Sequence, residues 1–161
     1  MSNEYIQFGC GTTAPVGWLN FDAGPVFWLQ KRVPFVTSAL VRKGFPRYPV
    51  KNIIYADVIK GLPIRPQSAS AVYCSHVLEH LPLDGFRATI RNVFTYLKPG
   101  GRFRLVLPDI EFLAKTYIAD TSPDAALRLL DEIGERHVMR GPKAIMRFFF
   151  GRSKHMWMWD Y

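Results

Sequence analysis

The sequence predicts one α/β domain built on a largely parallel β-sheet with helices on both faces. The candidate strands are apolar throughout rather than alternating, which is typical of a sheet covered on both sides. Long connections separate them, which favours parallel βαβ units. Four of them end at a glycine or a small polar residue, as expected at the edge where an open parallel sheet binds its ligand.

Five strands and three helices are predicted in order along the chain. The clearest helix has apolar residues at three- and four-residue spacing and ends at Lys98-Pro99-Gly100-Gly101, a helix stop. Residues 23–51, with four prolines, are left without a regular element. The predicted strands are 5–8, 18–21, 53–56, 71–74 and 103–107, and the predicted helices are 83–97, 109–118 and 124–138.

Length and composition indicate an ordinary globular chain with acidic partners. The 161 residues fit a single domain, 1–161, and the net charge of +8 favours phosphorylated small molecules, nucleic acid or anionic lipid. No apolar run reaches the roughly 18 residues of a membrane span, and the N-terminus leads directly into a strand. Cys10 and Cys74 form no disulfide framework, which suits a reducing compartment. We therefore expect a cytoplasmic protein.

The loop Gly9-Cys10-Gly11 follows the first predicted strand. Glycines there allow a ligand to approach the backbone closely, although the same residues also suit a plain tight turn. Ala14 takes the third-glycine position of a dinucleotide fingerprint, and no phosphate-loop lysine follows.

Two aspartates follow the next strands. Asp22 can accept hydrogen bonds from both hydroxyls of a ribose. It lies only 11 residues beyond Gly11, so the first crossover is short. Asp57 can accept from an adenine amine, with Val58 and Ile59 packing on the ring. The alternatives are a solvated turn for Asp22 and a helix cap or turn for Asp57.

These motifs resemble class I S-adenosylmethionine (SAM)-dependent methyltransferases, most closely the type 11 group, over about residues 4–113. That resemblance implies a Rossmann-like, doubly wound sheet in the order 3-2-1-4-5. It implies SAM as the cofactor and a cofactor site made of Gly9, Cys10, Gly11, Asp22, Asp57, Val58, Ser75, His76 and Val77. The runs that carry it are 6–11, 17–22, 56–58, 73–81 and 97–101.

In the implied site the glycines hold the methionine part, Asp22 the ribose and Asp57 the adenine, with Ser75, His76 and Val77 near the methyl group. The sequence departs from the family at Gln7, where an acidic residue is usual. It also stops before the helix and antiparallel hairpin that complete a seven-stranded sheet. We therefore expect a C-terminally shortened methyltransferase, or alternatively a non-catalytic SAM-binding remnant or partner subunit.

The segment His76-Val77-Leu78-Glu79-His80 also matches the H-x-x-E-H pattern of zinc proteases. That chemistry needs both histidines on one helix face, whereas here the motif follows a strand directly and Pro82 comes two residues later. We therefore predict no metal site. His76 is the candidate general base for a hydroxyl acceptor. The alternative is structural, with Leu78 and Leu81 in the core and Glu79 and His80 bracing the loop.

Two basic stretches of the chain indicate the kinds of partner that it binds. Residues 23–56 and 136–159 each contain six Lys or Arg and no acidic residue. By family analogy the acceptor is a small molecule or glycan intermediate, and the charge favours an anionic one; nucleic acid is not expected. The aromatic tail, residues 140–161, predicts self-association or peripheral membrane contact. The alternative is a solvated face over buried aromatics.

Overall fold

The sheet of this chain contains five parallel strands in the order β3-β2-β1-β4-β5, in a computed structural model that describes residues 4–133. The predicted α/β class and strand order are confirmed. The strands are β1 Tyr5–Phe8, β2 Leu19–Asp22, β3 Ile53–Tyr55, β4 Ala69–Ser75 and β5 Leu97–Val106. The α-helices are α1 Pro25–Arg32, α2 Thr37–Arg42, α3 Leu83–Tyr96, α4 Ile110–Ala119 and α5 Ala125–Glu132, and 3-10 turns cover Pro34–Val36, Val50–Asn52 and Leu78–His80.

Strand β1 lies at the centre of the sheet. Its Ile6 pairs with Leu19 of β2 on one side and with Val72 of β4 on the other. Ile6 and Phe8 are each 1% exposed, and they join Phe21 and Val72 in the main core. The apolar residues of the central strands are therefore removed from water, as predicted, whereas the edge strand β3 leaves Ile54 and Tyr55 exposed.

Residues 23–51 contain two helices that the sequence analysis did not predict. Both Pro25 and Pro34 stand at the start of a helical turn, where the missing N–H costs nothing because no partner for it exists there. Helix α1 buries Val26, Phe27 and Gln30. Pro25 and Pro34 therefore begin helical turns rather than exclude them.

Strand β5 begins six residues earlier than predicted. Helix α3 ends at Tyr96, and Leu97 already pairs with Ala69 of β4. The Lys98–Gly101 turn ends the helix as predicted, with Gly100 at a φ of +77°, but it lies within β5 rather than before it. A register shift between Ala69 and Ala71 accommodates the turn.

Asp109 caps helix α4 by accepting a hydrogen bond from the backbone N–H of Phe112 at 3.1 Å. Helix α5 packs beside α4, and Arg128 donates two hydrogen bonds of 2.8 Å to Asp120. The predicted extension of α5 to residue 138 and the basic aromatic tail 140–161 lie outside the described residues. Within residues 4–133, no helix has both the length and the apolar character needed to cross a membrane.

Candidate active site

The carboxyl ends of β1, β2 and β4 bring the predicted site residues to one edge of the sheet. Gly11 follows β1, Asp22 ends β2 and Ser75 ends β4. The backbone N–H of Gly11 donates to Asp22 Oδ2 at 2.8 Å, so the first two strand ends are in direct contact. Asp57 lies two residues beyond β3, at the same edge.

The two glycines of the first loop have different surroundings. Both have positive φ, +60° at Gly9 and +55° at Gly11. A Cβ at Gly9 would lie 2.2 Å from Val77 Cγ2, whereas a Cβ at Gly11 would meet no atom within 4 Å. Gly9 is thus required for the contact between the β1 and β4 loops, and Gly11 borders open space.

Asp22 organises the loops on both sides of it. Besides the Gly11 bond at Oδ2, its Oδ1 accepts from the Gly24 N–H at 2.6 Å. The residue is 8% exposed. It is therefore not the solvated turn aspartate considered above. Because a carboxylate has about four acceptor positions, two remain for a ligand.

Asp57 accepts a hydrogen bond from the Ile59 N–H at 2.9 Å, so the turn role considered for it is present in the structure. Asn92 of α3 secures the same loop, since its Nδ2 donates to the carbonyls of Val58 at 2.8 Å and Ile59 at 3.1 Å. Sequence reasoning missed Asn92. Asn92 lies outside the apolar spacing of α3, so that pattern did not identify it.

Tyr48 is a second residue of this edge that sequence reasoning missed. The buried Gln30 holds its loop by accepting from the Tyr48 N–H at 3.1 Å and donating to the Pro46 carbonyl at 2.7 Å. The Tyr48 ring packs on Phe27 with centroids 5.5 Å apart. Burial, and then the negative charge of Asp22, raises the pKa of Tyr48 to about 12, so its hydroxyl stays protonated at neutral pH.

The segment after β4 combines a bent backbone with a contact between His76 and Glu79. His76 has a φ of +53°, and its N–H donates to the Val106 carbonyl at 3.0 Å. Its Nδ1 lies 3.2 Å from Glu79 Oε1, and the two side chains are 60% and 0% exposed. Leu78 is fully buried, as the structural alternative predicted, and Glu79 does brace the loop.

The H-x-x-E-H motif does not lie on one helix. His76 precedes the 3-10 turn Leu78–His80, and α3 begins only at Leu83. Within residues 4–133, no three His, Cys, Asp or Glu side chains are grouped to hold a metal ion. The expectation of a metal-free protein stays a prediction.

Two buried thiols lie close to the acidic residues of this edge. Burial, and then Asp22, raises the pKa of Cys10 to about 12; burial, and then Glu79, raises the pKa of Cys74 to about 12. In the unfolded chain such thiols ionise near pH 9. Their contribution to stability is therefore complete below pH 9 and is lost as pH rises from 9 towards 12.

We expect the free energy of unfolding to fall with pH above about 9, and to fall less steeply in a Cys10→Ala/Cys74→Ala variant. Urea unfolding at pH 7.5, 9 and 10 measures both slopes. In the variant, Tyr48 still contributes part of the fall in the free energy of unfolding with pH, because its pKa is also raised. Identical slopes for the two proteins would contradict this assignment.

Comparison with known proteins was made against curated sequences, solved structures and family models. Among curated proteins, none matches the sequence. Among solved structures, the chain is similar to DhpI in its SAM–HEP complex (20% identity, TM-score 0.41, covering 74% of this chain and 53% of that one). It is similar to YcgJ from Bacillus subtilis, with 16% identity and a TM-score of 0.44, covering 80% of this chain and 59% of that one. It is also similar to the glycopeptide N-methyltransferase MtfA, with 17% identity and a TM-score of 0.43, covering 68% of this chain and 48% of that one.

The chain spans about half the length of these solved structures. One family model, described as a methyltransferase domain, matches residues 6–105, well over half of the chain. The match includes the glycine loop, Asp22, Asp57 and the segment after β4, and it confirms the type 11 resemblance. The chain therefore belongs to this family of methyltransferase domains.

Proposed function

We propose that the chain binds SAM at the carboxyl edge of its sheet and transfers the methyl group to an anionic small molecule or glycan intermediate. The observation that carries the proposal is the joined pair of Gly11 and Asp22, beside a Gly9 backbone too close to Val77 to bear a Cβ. When bound, SAM supplies a methyl group on a positively charged sulfur, which keeps the bonding electron pair as the methyl group leaves.

The geometry of the first loop fits the amino-acid part of SAM. Open space beside Gly11 leaves its backbone accessible, and the positive φ of both glycines turns the chain around that space. Cys10 is buried, so it contributes packing rather than a reactive thiol. Gln7, which is also buried, takes the position where the family usually has a carboxylate.

Asp22 fits a ribose. Its carboxylate is already fixed by two backbone N–H groups, so it loses little further side-chain freedom when a sugar binds. Its remaining acceptor positions suit the two hydroxyls. Asp57 and the buried Val58, held by Asn92, serve the adenine as polar and apolar contacts.

His76 serves as the base for a hydroxyl acceptor. Its ring is largely exposed at the end of β4, in the segment that also contains Ser75 and Val77. As the acceptor oxygen bonds to the methyl carbon, its proton passes to the free ring nitrogen of His76. Orientation by these residues supplies most of the remaining rate acceleration, because the donor is already activated.

The exposed cations of α1 and α2 support an anionic acceptor. Arg32, Arg42 and Lys43 are solvent-accessible, and residues 23–56 contain no acidic side chain. Lys31 has a structural role as well, since its Nζ donates to the Ile53 carbonyl at 2.6 Å. Exposed cations along α1 and α2, the helices that follow Asp22 in the chain, would raise the local concentration of an anionic acceptor.

Isothermal titration calorimetry tests the cofactor part of the proposal. We expect micromolar-range binding of SAM and of S-adenosylhomocysteine, and no binding of NAD as a control nucleotide. The absence of heat with both adenosyl ligands, on protein shown to be folded, would contradict the proposal. Release of S-adenosylhomocysteine with phosphorylated or glycan acceptors then separates an enzyme from a SAM-binding remnant that does not turn over.

A further inference from the structure

We propose that Glu79 is a positioning residue that holds His76 in the tautomer with hydrogen on Nδ1, which leaves Nε2 as the exposed proton acceptor. This inference rests on the proposed role of His76 as the base. It adds a buried partner that selects which ring nitrogen performs the chemistry.

The structure fixes His76 at two points. Its backbone N–H is bonded to the Val106 carbonyl of β5 at 3.0 Å, and its Nδ1 lies 3.2 Å from Glu79 Oε1. The backbone of His76, with φ at +53°, lies in the left-handed region that residues other than glycine rarely adopt. That conformation persists because the two bonds and the 3-10 turn that follows hold it.

A purely structural role does not explain the chemistry of Glu79. The side chain is completely buried, and its Oε2 has no hydrogen-bond partner in the part of the chain that the structure describes. Leu78, the preceding residue, is also fully buried and fills its space without that cost. Among residues 4–133, the bond to His76 gives this buried carboxylate a chemical role.

The tautomer follows from hydrogen-bond chemistry. When the Glu79 carboxylate is ionised it can only accept, so a neutral imidazole bonded to it donates from Nδ1, and its lone pair is then on Nε2. When Nε2 takes the proton of the acceptor hydroxyl, the imidazolium faces the Glu79 carboxylate, which stabilises it. The acceptor oxygen thus gives its proton to Nε2 as it bonds to the methyl carbon.

Nitrogen-15 NMR of the full chain, at a pH where the imidazole is neutral, reports the tautomer directly. We expect the Nδ1–H form at His76, with its signal assigned by a His76→Asn variant. Glu79→Leu should shift His76 towards the Nε2–H form that free histidine favours. Glu79→Gln should restore the Nδ1–H form at least in part, because its amide oxygen can still accept.

Thr89→Val provides a matched control, since Thr89 is another fully buried side chain whose hydroxyl has no partner among the described residues. It should leave the His76 signal unchanged. An Nε2–H form in the wild-type chain, or an Nδ1–H form that survives in Glu79→Leu, would overturn the inference. If Glu79→Leu does not fold, the spectra of the wild-type chain and of Glu79→Gln still show which ring nitrogen of His76 carries the hydrogen.

Calorimetry with SAM separates this inference from the proposed function. Glu79→Leu should bind SAM within about threefold of the wild-type affinity, because the carboxylate contacts the His76 ring and not the Gly9–Gly11 loop. A wild-type chain that does not bind SAM would contradict the proposed function and leave the tautomer result standing.

Discussion

Replacing Gly9 by alanine should destabilise the folded chain by about 2–5 kcal/mol and abolish measurable binding of SAM. About 1–2 kcal/mol comes from forcing a Cβ into the left-handed region. A further 1–3 kcal/mol, roughly, comes from overpacking, because the new Cβ would lie 2.2 Å from Val77 Cγ2. Denaturant unfolding measures the loss of stability, and titration calorimetry measures the loss of SAM binding.

Gly11→Ala is the matched control for Gly9→Ala. The two glycines have nearly the same φ, but no atom lies within 4 Å of a Cβ at Gly11. Only the backbone cost of about 1–2 kcal/mol should therefore appear. A Gly9→Ala/Val77→Ala double variant should recover most of the stability that Gly9→Ala loses beyond the loss in Gly11→Ala. Equal losses at Gly9 and Gly11 would show that the Val77 contact is unimportant.

Asp22→Asn should lower the free energy of unfolding by about 1–3 kcal/mol. The carboxylate accepts from Gly11 at one oxygen and from Gly24 at the other. An asparagine has one acceptor oxygen, so its amide NH₂ would face one of these backbone N–H groups and leave it unpaired. Urea unfolding of the two proteins measures the difference.

Asp22→Ala should weaken SAM binding by about 1.5–3 kcal/mol, roughly 10- to 150-fold, because it removes hydrogen bonds to a charged group. Asp109→Asn is the control for both Asp22 variants, since asparagine caps a helix as well as aspartate does. It should change neither stability nor affinity appreciably. Unchanged SAM affinity in Asp22→Ala would remove Asp22 from the proposed ribose site.

The strands were predictable because the site residues follow apolar runs, and their order was implied by the family resemblance. Parallel strands place their carboxyl ends together, so Gly11 and Asp22 were expected at one edge, and the structure joins them by a hydrogen bond. The short first crossover was also predictable from the 11-residue spacing. It contains no helix, and the N–H of Cys10 bonds directly to the Phe21 carbonyl of β2 at 3.2 Å.

The missed features depend on tertiary contacts that periodicity does not report. Helices α1 and α2 are only eight and six residues long, which is too short for a repeated apolar spacing to identify them. Gln30 is polar yet 1% exposed, because its amide bonds to the 46–48 loop, so a hydropathy pattern does not place it in the interior. The bond between His76 and Glu79 depends on a backbone bend that their three-residue separation does not reveal.

The central position of β1 has a consequence for the order in which the chain folds during synthesis. Ile6 pairs with Leu19, made soon after it, and with Val72, made 66 residues later. At about 5–20 residues per second, a ribosome needs some 3–13 seconds to supply that second partner. Two four-residue strands alone are not stable in water. The nascent chain therefore carries Phe8 and Phe21, both buried in the finished domain, as exposed apolar surface for several seconds, and a chaperone that shields such segments would act in that interval.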